Sequence, residues 1–192
     1  MRIISGKFRG KKLISPKNNL IRPTSDRAKE MIFNTLNSYF IIKNKSFNNL
    51  VVLDCFCGTG AIGLELLSRG SKEIIFVDDS LESINLTKRN FSLLNTKQKV
   101  TFLNIDYRKI KFNKPKINFF YIDPPYKRIN ITNVLVSFLG GKILKKEFFG
   151  VIELSVDTQL KNLEGFEIWE KKKVSKSSFY FVKNSTDLFS SK

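Results

Sequence analysis

The sequence predicts an α/β protein with a mostly parallel sheet and helices on both faces. Three observations carry that expectation. Short, continuously apolar runs recur between residues 50 and 154, as strands buried on both faces require. Stretches with helical apolar spacing separate them, the alternation that builds a parallel sheet. Aspartates close four of the runs: Asp54, Asp78, Asp106 and Asp123. In an open α/β sheet ligands bind beyond the carboxyl ends of the strands, so these four carboxylates should converge on one rim.

The elements follow in order. Residues 1–24 mix basic and apolar side chains, with Gly6 and Gly10 as punctuation, and read as a β-hairpin with a basic face. Arg22-Pro23 breaks the chain and Thr24, Ser25 and Asp26 offer helix caps. Ala28, Met31, Ile32, Leu36 and Tyr39 then recur at helical spacing. Residues 50–53 read as a buried strand entering a glycine loop, and residues 61–68 as a helix closed by Gly70. Strands are predicted over 74–77, 100–103, 117–122 and 151–154, and helices over 81–94 and 131–139. Residues 166–173 and 177–182 read as a closing antiparallel pair, which brings the strands to seven. The basic hairpin (1–24), a main domain (25–183) and a flexible tail (184–192) are the expected divisions.

The chain has 192 residues, enough for one domain, and 42% are hydrophobic, enough for a sizeable core. Its formal net charge is +17, which favours a polyanionic partner such as nucleic acid. No stretch approaches a membrane span and the N-terminus lacks a secretory apolar core, so a cytoplasmic protein without membrane association is expected. Nothing demands a dimer, and a monomer is expected. Histidine is absent. That excludes a histidine base, a Ser-His-Asp triad and histidine-containing zinc sites, and no metal is expected. Cys55 and Cys57 are too close for an ordinary structural disulfide and read as small buried residues.

Asp54-Cys55-Phe56-Cys57-Gly58-Thr59-Gly60-Ala61-Ile62-Gly63 places G-x-G-x-x-G between a strand and a helix. Asp78 ends the next strand, where a carboxylate can accept ribose hydroxyl hydrogens. Together they point to an adenosine-containing cofactor, with NAD and S-adenosylmethionine as the competitors. A pyrophosphate wants the helix N-terminus free of negative charge. Asp54 at the loop entrance instead suits a sulfonium cation and favours S-adenosylmethionine. Asp106 is a candidate acceptor for the adenine amino group.

Asp123-Pro124-Pro125-Tyr126 is the most specific feature. Two prolines fix two φ angles and remove two donors, which leaves a rigid turn of exposed carbonyls. An aspartate and a carbonyl can accept both hydrogens of an exocyclic amino group and hold its nitrogen toward a methyl donor. Such nitrogens are poor nucleophiles, so positioning and proton removal must supply the rate. Tyr126 can stack on an unpaired or flipped base.

With these residues in view, the chain resembles the RsmD family of bacterial 16S ribosomal RNA guanine-N2 methyltransferases. The resemblance covers residues 1–183. It rests on Arg2-Ile3-Ile4-Ser5-Gly6-Lys7-Phe8-Arg9-Gly10, on Arg22-Pro23-Thr24-Ser25-Asp26-Arg27, on Phe33-Asn34, on Leu53 to Gly60, on Gly63-Leu64-Glu65, on Leu67-Ser68-Arg69-Gly70 and on Asp123 to Tyr126. It implies a Rossmann-like, class I S-adenosylmethionine-dependent methyltransferase fold with a mostly parallel seven-stranded sheet and an N-terminal β-hairpin. It implies that Asp54, Phe56, Gly58, Gly60, Asp78, Asp79 and Asp106 bind the cofactor, with either Asp78 or Asp79 on the ribose. Asp123, Pro124, Pro125 and Tyr126 would hold the guanine. Arg2, Lys7, Arg9, Lys11, Lys12, Arg22 and Arg27 would grip 16S rRNA in the small ribosomal subunit. The family usually carries Glu at the position of Asp78, and Leu and Ala at those of Cys55 and Cys57.

Related Pro-Pro turns also serve DNA adenine-N6 and protein glutamine-N5 methyltransferases. The chain is short for a separate DNA-recognition domain, and glutamine methylation usually goes with Asn opening the turn. Two functions of other kinds suit the same fold: a non-catalytic rRNA-binding assembly factor and a nicotinamide-dependent reductase.

Overall fold

The apolar runs form the middle of one seven-stranded sheet. The computed structural model describes residues 1–16, 24–114, 116–125, 129–160 and 164–185. Its strands are β1 (Val51–Cys55), β2 (Glu73–Asp78), β3 (Lys99–Asn104), β4 (Ile117–Ile122), β5 (Leu144–Ser155), β6 (Phe166–Val174) and β7 (Ser177–Asn184). The order across the sheet is β3-β2-β1-β4-β5-β7-β6. The first five strands pair in parallel, and β7 runs antiparallel between β5 and β6. Strand order reverses between β1 and β4, which puts the switch point beside the glycine loop.

The helices are α1 (Asp26–Ile42), α2 (Ala61–Ser68), α3 (Leu81–Ser92) and α4 (Ile131–Gly140), with a 3-10 turn at Tyr107–Lys109. Successive strand side chains point to opposite faces, and the core divides accordingly. Val52, Ile74, Phe76, Phe119, Val151 and Phe181 meet α1 and α2 on one face. Leu53, Ile75, Val77, Phe120, Ile122 and Val182 meet α4 on the other. Helices on both faces explain why every residue of β1 and β2 is buried. Ser25, Ser80 and Asn130 cap α1, α3 and α4 through their side chains. Among the described residues no helix is long and apolar enough to cross a membrane.

Among the described residues the N-terminal hairpin has one antiparallel bridge, Arg2 to Lys12, rather than extended strands. The reason is a competing partner. The amides of Ile4 and Ser5 donate to the Glu65 carboxylate at 2.8 and 3.0 Å, and that of Phe8 donates to Ser68 Oγ at 2.9 Å. The segment is therefore bonded to α2 along much of its length. Ile3 and Leu13 are buried, Lys29 Nζ donates to the Arg2 carbonyl, and Asn90 bonds both backbone groups of Ile14. Glu65 itself is fully buried and also accepts from Arg69 Nε at 2.9 Å. Removing one partner of a buried, bonded ion pair strands the other. Glu65→Ala is expected to lower stability by about 3 kcal/mol, read as a lower urea midpoint. An unchanged midpoint would show that the segment is not anchored there.

Candidate active site

A cavity of about 600 Å³ opens at the carboxyl ends of β1, β2, β4 and β5, under the N-terminus of α1. Asp54, Asp78, Asp79, Glu82, Asp123 and Glu153 all line it, and among its described lining residues there is no lysine or arginine. In a chain of net charge +17 that is a sharp local reversal of sign. Such a site favours a cation and repels a pyrophosphate.

Asp54 is 2% exposed, and its Oδ2 accepts the Gly63 amide at 2.9 Å. Burial pushes its carboxyl up to about 7, against the pull of that hydrogen bond and with the help of the Asp78 charge. Asp78 ends β2 and accepts the amides of Gly58 at 3.0 Å and Ser80 at 2.9 Å. Burial raises its carboxyl too. Asp79, one residue further, is exposed at the rim.

The loop between β1 and α2 is held from behind. Thr87 Oγ1 donates to the Gly58 carbonyl at 3.1 Å and Asn90 Nδ2 donates to the Thr59 carbonyl at 3.0 Å. Phe56 sits at φ 62°, rare for a bulky residue, and its ring packs 5.6 Å from that of Tyr107. Strain of this kind persists where surrounding contacts over-determine it, often at ligand sites. Gly60 has φ 73°, and a Cβ there would lie 2.5 Å from Thr87 Cγ2. At Gly63 a Cβ would lie 2.3 Å from Phe76 Cε1 and 2.8 Å from Asp54 Oδ2. Those two glycines bring α2 against α3 and the sheet.

Asp123 follows β4, and its amide donates to the Cys55 carbonyl at 3.4 Å. It lines the cavity with Pro124 and Pro125. Beside it, Tyr121 Oη donates to Glu153 Oε2 at 2.5 Å, and both side chains are buried. Cys55 and Cys57 are buried, and burial pushes both thiols up, which makes them fillers rather than nucleophiles.

The structure thus gathers Asp54, Phe56, Gly58, Asp78, Asp79, Asp123, Pro124 and Pro125 on one cavity. Two expected cofactor residues differ. Gly60 does not line it, because its lack of a side chain serves the contact with Thr87. Asp106 does not line it either. It caps the 3-10 turn, and Arg108 engages its carboxylate through Nε at 2.9 Å and Nη2 at 2.6 Å. Those bonds hold its carboxyl down to about 2. Tyr126 and Arg22 lie outside the described residues. Arg2, Lys7, Arg9, Lys11, Lys12 and Arg27 are exposed on the N-terminal segment and the start of α1, away from the cavity lining.

The sequence pattern did not single out Tyr121, Glu153 or the β6–β7 turn, where Val174, Ser175 and Ser177 reach the cavity, whereas Thr24 and Ser25, which it offered as caps of α1, line it too. One signal was available. Glu153 is a lone charge inside an apolar run, and Tyr121 precedes Asp123 by two residues, hence on the same face.

A family model described as Conserved hypothetical protein 95 matches residues 1–183. The chain belongs to that family, the RsmD family. Relatives match it over nearly its whole length. Ribosomal RNA small subunit methyltransferase D of Haemophilus influenzae is 29% identical over 189 residues, 96% of this chain and 94% of that protein. YlbH of Bacillus subtilis is 31% identical over 176 residues, 90% of this chain and 92% of that one. Among solved structures, HI0767 of Haemophilus influenzae superposes with a TM-score of 0.75 at 27% identity, covering 95% of this chain and 97% of that one. Magnesium protoporphyrin IX methyltransferase of Synechocystis, solved with bound S-adenosylmethionine, gives 0.60 at 12% identity over 85% of this chain and 86% of that one. At that identity the likeness is one of fold, and the fold is that of the Rossmann-like class I methyltransferases.

Proposed function

We propose that this chain transfers a methyl group from S-adenosylmethionine to the exocyclic N2 of one guanine in 16S rRNA of the small ribosomal subunit, in the cytoplasm. The observation that carries this reading is the meeting of two chemistries in one cavity. A buried carboxylate suited to a cation, Asp54, faces the same space as the Asp123-Pro124-Pro125 turn suited to an amino group. The name of the Haemophilus influenzae relative supports the rRNA of the small subunit as substrate.

The donor set fits S-adenosylmethionine. The volume lies within the ordinary range for ligand sites, and the acidic lining suits a cation. What the cofactor supplies there is an electrophilic methyl group on a sulfonium that leaves as a neutral thioether. The residues do the rest. Asp54 balances the positive charge, and Asp78 and Asp79 offer acceptors for ribose hydroxyls. Phe56 presents an apolar face to the adenine. Asp123 and the Pro124 carbonyl accept the two amino hydrogens of the base, which orients its nitrogen and gives its proton an acceptor. By the family resemblance, Tyr126 would stack on the ring.

The test is transfer of label from S-adenosylmethionine to small subunits lacking the modification, with double-stranded DNA as control. Label on a single guanine of the small-subunit RNA is the expected result. Label on DNA, or none on any RNA despite measured cofactor binding, would sink the reading.

Arg2, Lys7, Arg9, Lys11, Lys12, Arg22 and Arg27 would grip the phosphates around the target, where contacts position the RNA without reading it. The pair Arg9→Glu and Lys11→Glu is expected to weaken RNA binding and to flatten its dependence on salt, since fewer counterions are released. Cofactor affinity should hold. An unchanged salt slope would place the RNA elsewhere.

A further inference from the structure

Glu153 stands inside the cavity with no role in the chemistry above. It lies in β5, is 6% exposed and lines the cavity together with Asp123. The β4–β5 ladder ends at the pair Ile122 and Ile152, and Asp123 and Glu153 each follow that pair by one residue at the cavity. Tyr121 lines the cavity too, and its hydroxyl donates to Glu153 Oε2 at 2.5 Å. Burial pushes the Tyr121 phenol well above its ordinary range, so it remains a proton donor. A carboxylate offers about four acceptor directions, and this bond fixes the group's orientation.

We infer that Glu153 selects guanine: its carboxylate, held by Tyr121, accepts the N1–H of the target base next to the amino group held by Asp123. The inference rests on the function proposed above and extends it to the choice of base. Guanine carries a ring N–H and an amino group side by side as donors. Two neighbouring acidic acceptors match that edge. Adenine presents an unprotonated N1 beside its amino group, and its lone pair would face the carboxylate. Cytosine has the same mismatch at N3, and uracil has no amino group. A site with a buried polar group discriminates strongly against a ligand that leaves the group unpaired. Accepting the N1–H also pushes electron density toward N2, which helps a poor nucleophile.

The competing explanation is a bonded Tyr–Glu pair that merely braces β4 against β5. Base analogues separate the two. Small subunits are reconstituted with guanine or 2-aminopurine at the modified position. 2-Aminopurine keeps the amino group but has no hydrogen on N1. Single-turnover methylation and the fluorescence of 2-aminopurine on binding are both read, in the wild type and in Glu153→Gln. The wild type is expected to methylate guanine about a hundredfold faster than 2-aminopurine. In Glu153→Gln, whose amide can donate to N1, the guanine rate should fall and the 2-aminopurine rate should rise, narrowing the ratio to within about tenfold. The variant should also bind the 2-aminopurine subunit more tightly than the wild type does. Tyr121→Phe should narrow the ratio less, since the carboxylate remains. A ratio unchanged in Glu153→Gln overturns the inference and leaves the bracing role. Wild-type protein that labels neither base overturns the proposed function and this inference with it.

Discussion

Asp123→Ala is expected to cut turnover about a hundredfold or more while the protein stays folded and binds S-adenosylmethionine within a few-fold of normal. Loss of one preorganised contact to the reacting group commonly costs that much. The amino nitrogen of guanine is conjugated with its ring, so a productive encounter needs both hydrogens held and one removed. Asp123 supplies the charged half of that pair of acceptors. It is half-buried, and its backbone amide keeps its bond to the Cys55 carbonyl whatever the side chain. Asp123→Asn divides two versions of the role. An amide oxygen still accepts an amino hydrogen but cannot take a proton. A rate near that of Ala would assign Asp123 to proton removal, and a rate near wild type would assign it to orientation. Wild-type rates in Asp123→Ala, at matched folding by circular dichroism, would refute both.

What was legible in the sequence follows the physics of each signal. Strands buried on both faces cannot hide, and 117–122 and the helix 61–68 stand where their patterns put them. The early part of β5 was not visible, because Lys145, Lys146 and Glu147 are exposed and break the apolar run. The hairpin at the N-terminus was legible as a turn but not as a single bridge, since its partner groups sit about sixty residues away on α2. The cofactor residues divide the same way. Asp54 and Asp78 lie at the carboxyl ends of strands whose direction is fixed by the sheet, so their carboxylates had one place to go. Asp106 lies beyond β3 in a loop, where Arg108 two residues on competes for its oxygens. The glycine motif promised close approach, and Gly60 and Gly63 deliver it to Thr87 and Phe76. Glu153 and Tyr121 meet only through the β4–β5 register, which no local pattern encodes.

Asp54 carries the second large effect, because burial puts its titration near neutrality. The carboxyl of the ligand-free protein stands at about 7, raised from 3.8. A sulfonium bound beside it favours the charged form and pulls that value down. The cofactor therefore prefers the deprotonated protein, and binding below neutrality releases a proton. Affinity for S-adenosylmethionine should fall about tenfold from pH 8 to pH 6, by calorimetry, with the slope set by Asp54. Stability of the ligand-free protein runs the opposite way. A carboxyl raised on folding contributes stability that is complete below its unfolded value near 4 and is lost as pH rises through 7. The full span is about 4 kcal/mol, and the change in Asp78 has the same sign. Asp54→Asn keeps an oxygen for the Gly63 amide and removes the titration. It should bind the cofactor at least tenfold more weakly at pH 8 and lose the pH dependence of affinity. Without ligand it should unfold at a higher temperature than the wild type at that pH. A group that weakens the empty protein at working pH and is repaid by a cation is a binding residue. If Asp54→Asn instead destabilised the empty protein and left cofactor affinity unchanged, Asp54 would be a support for the glycine loop and the cation would have its partner elsewhere on the acidic lining.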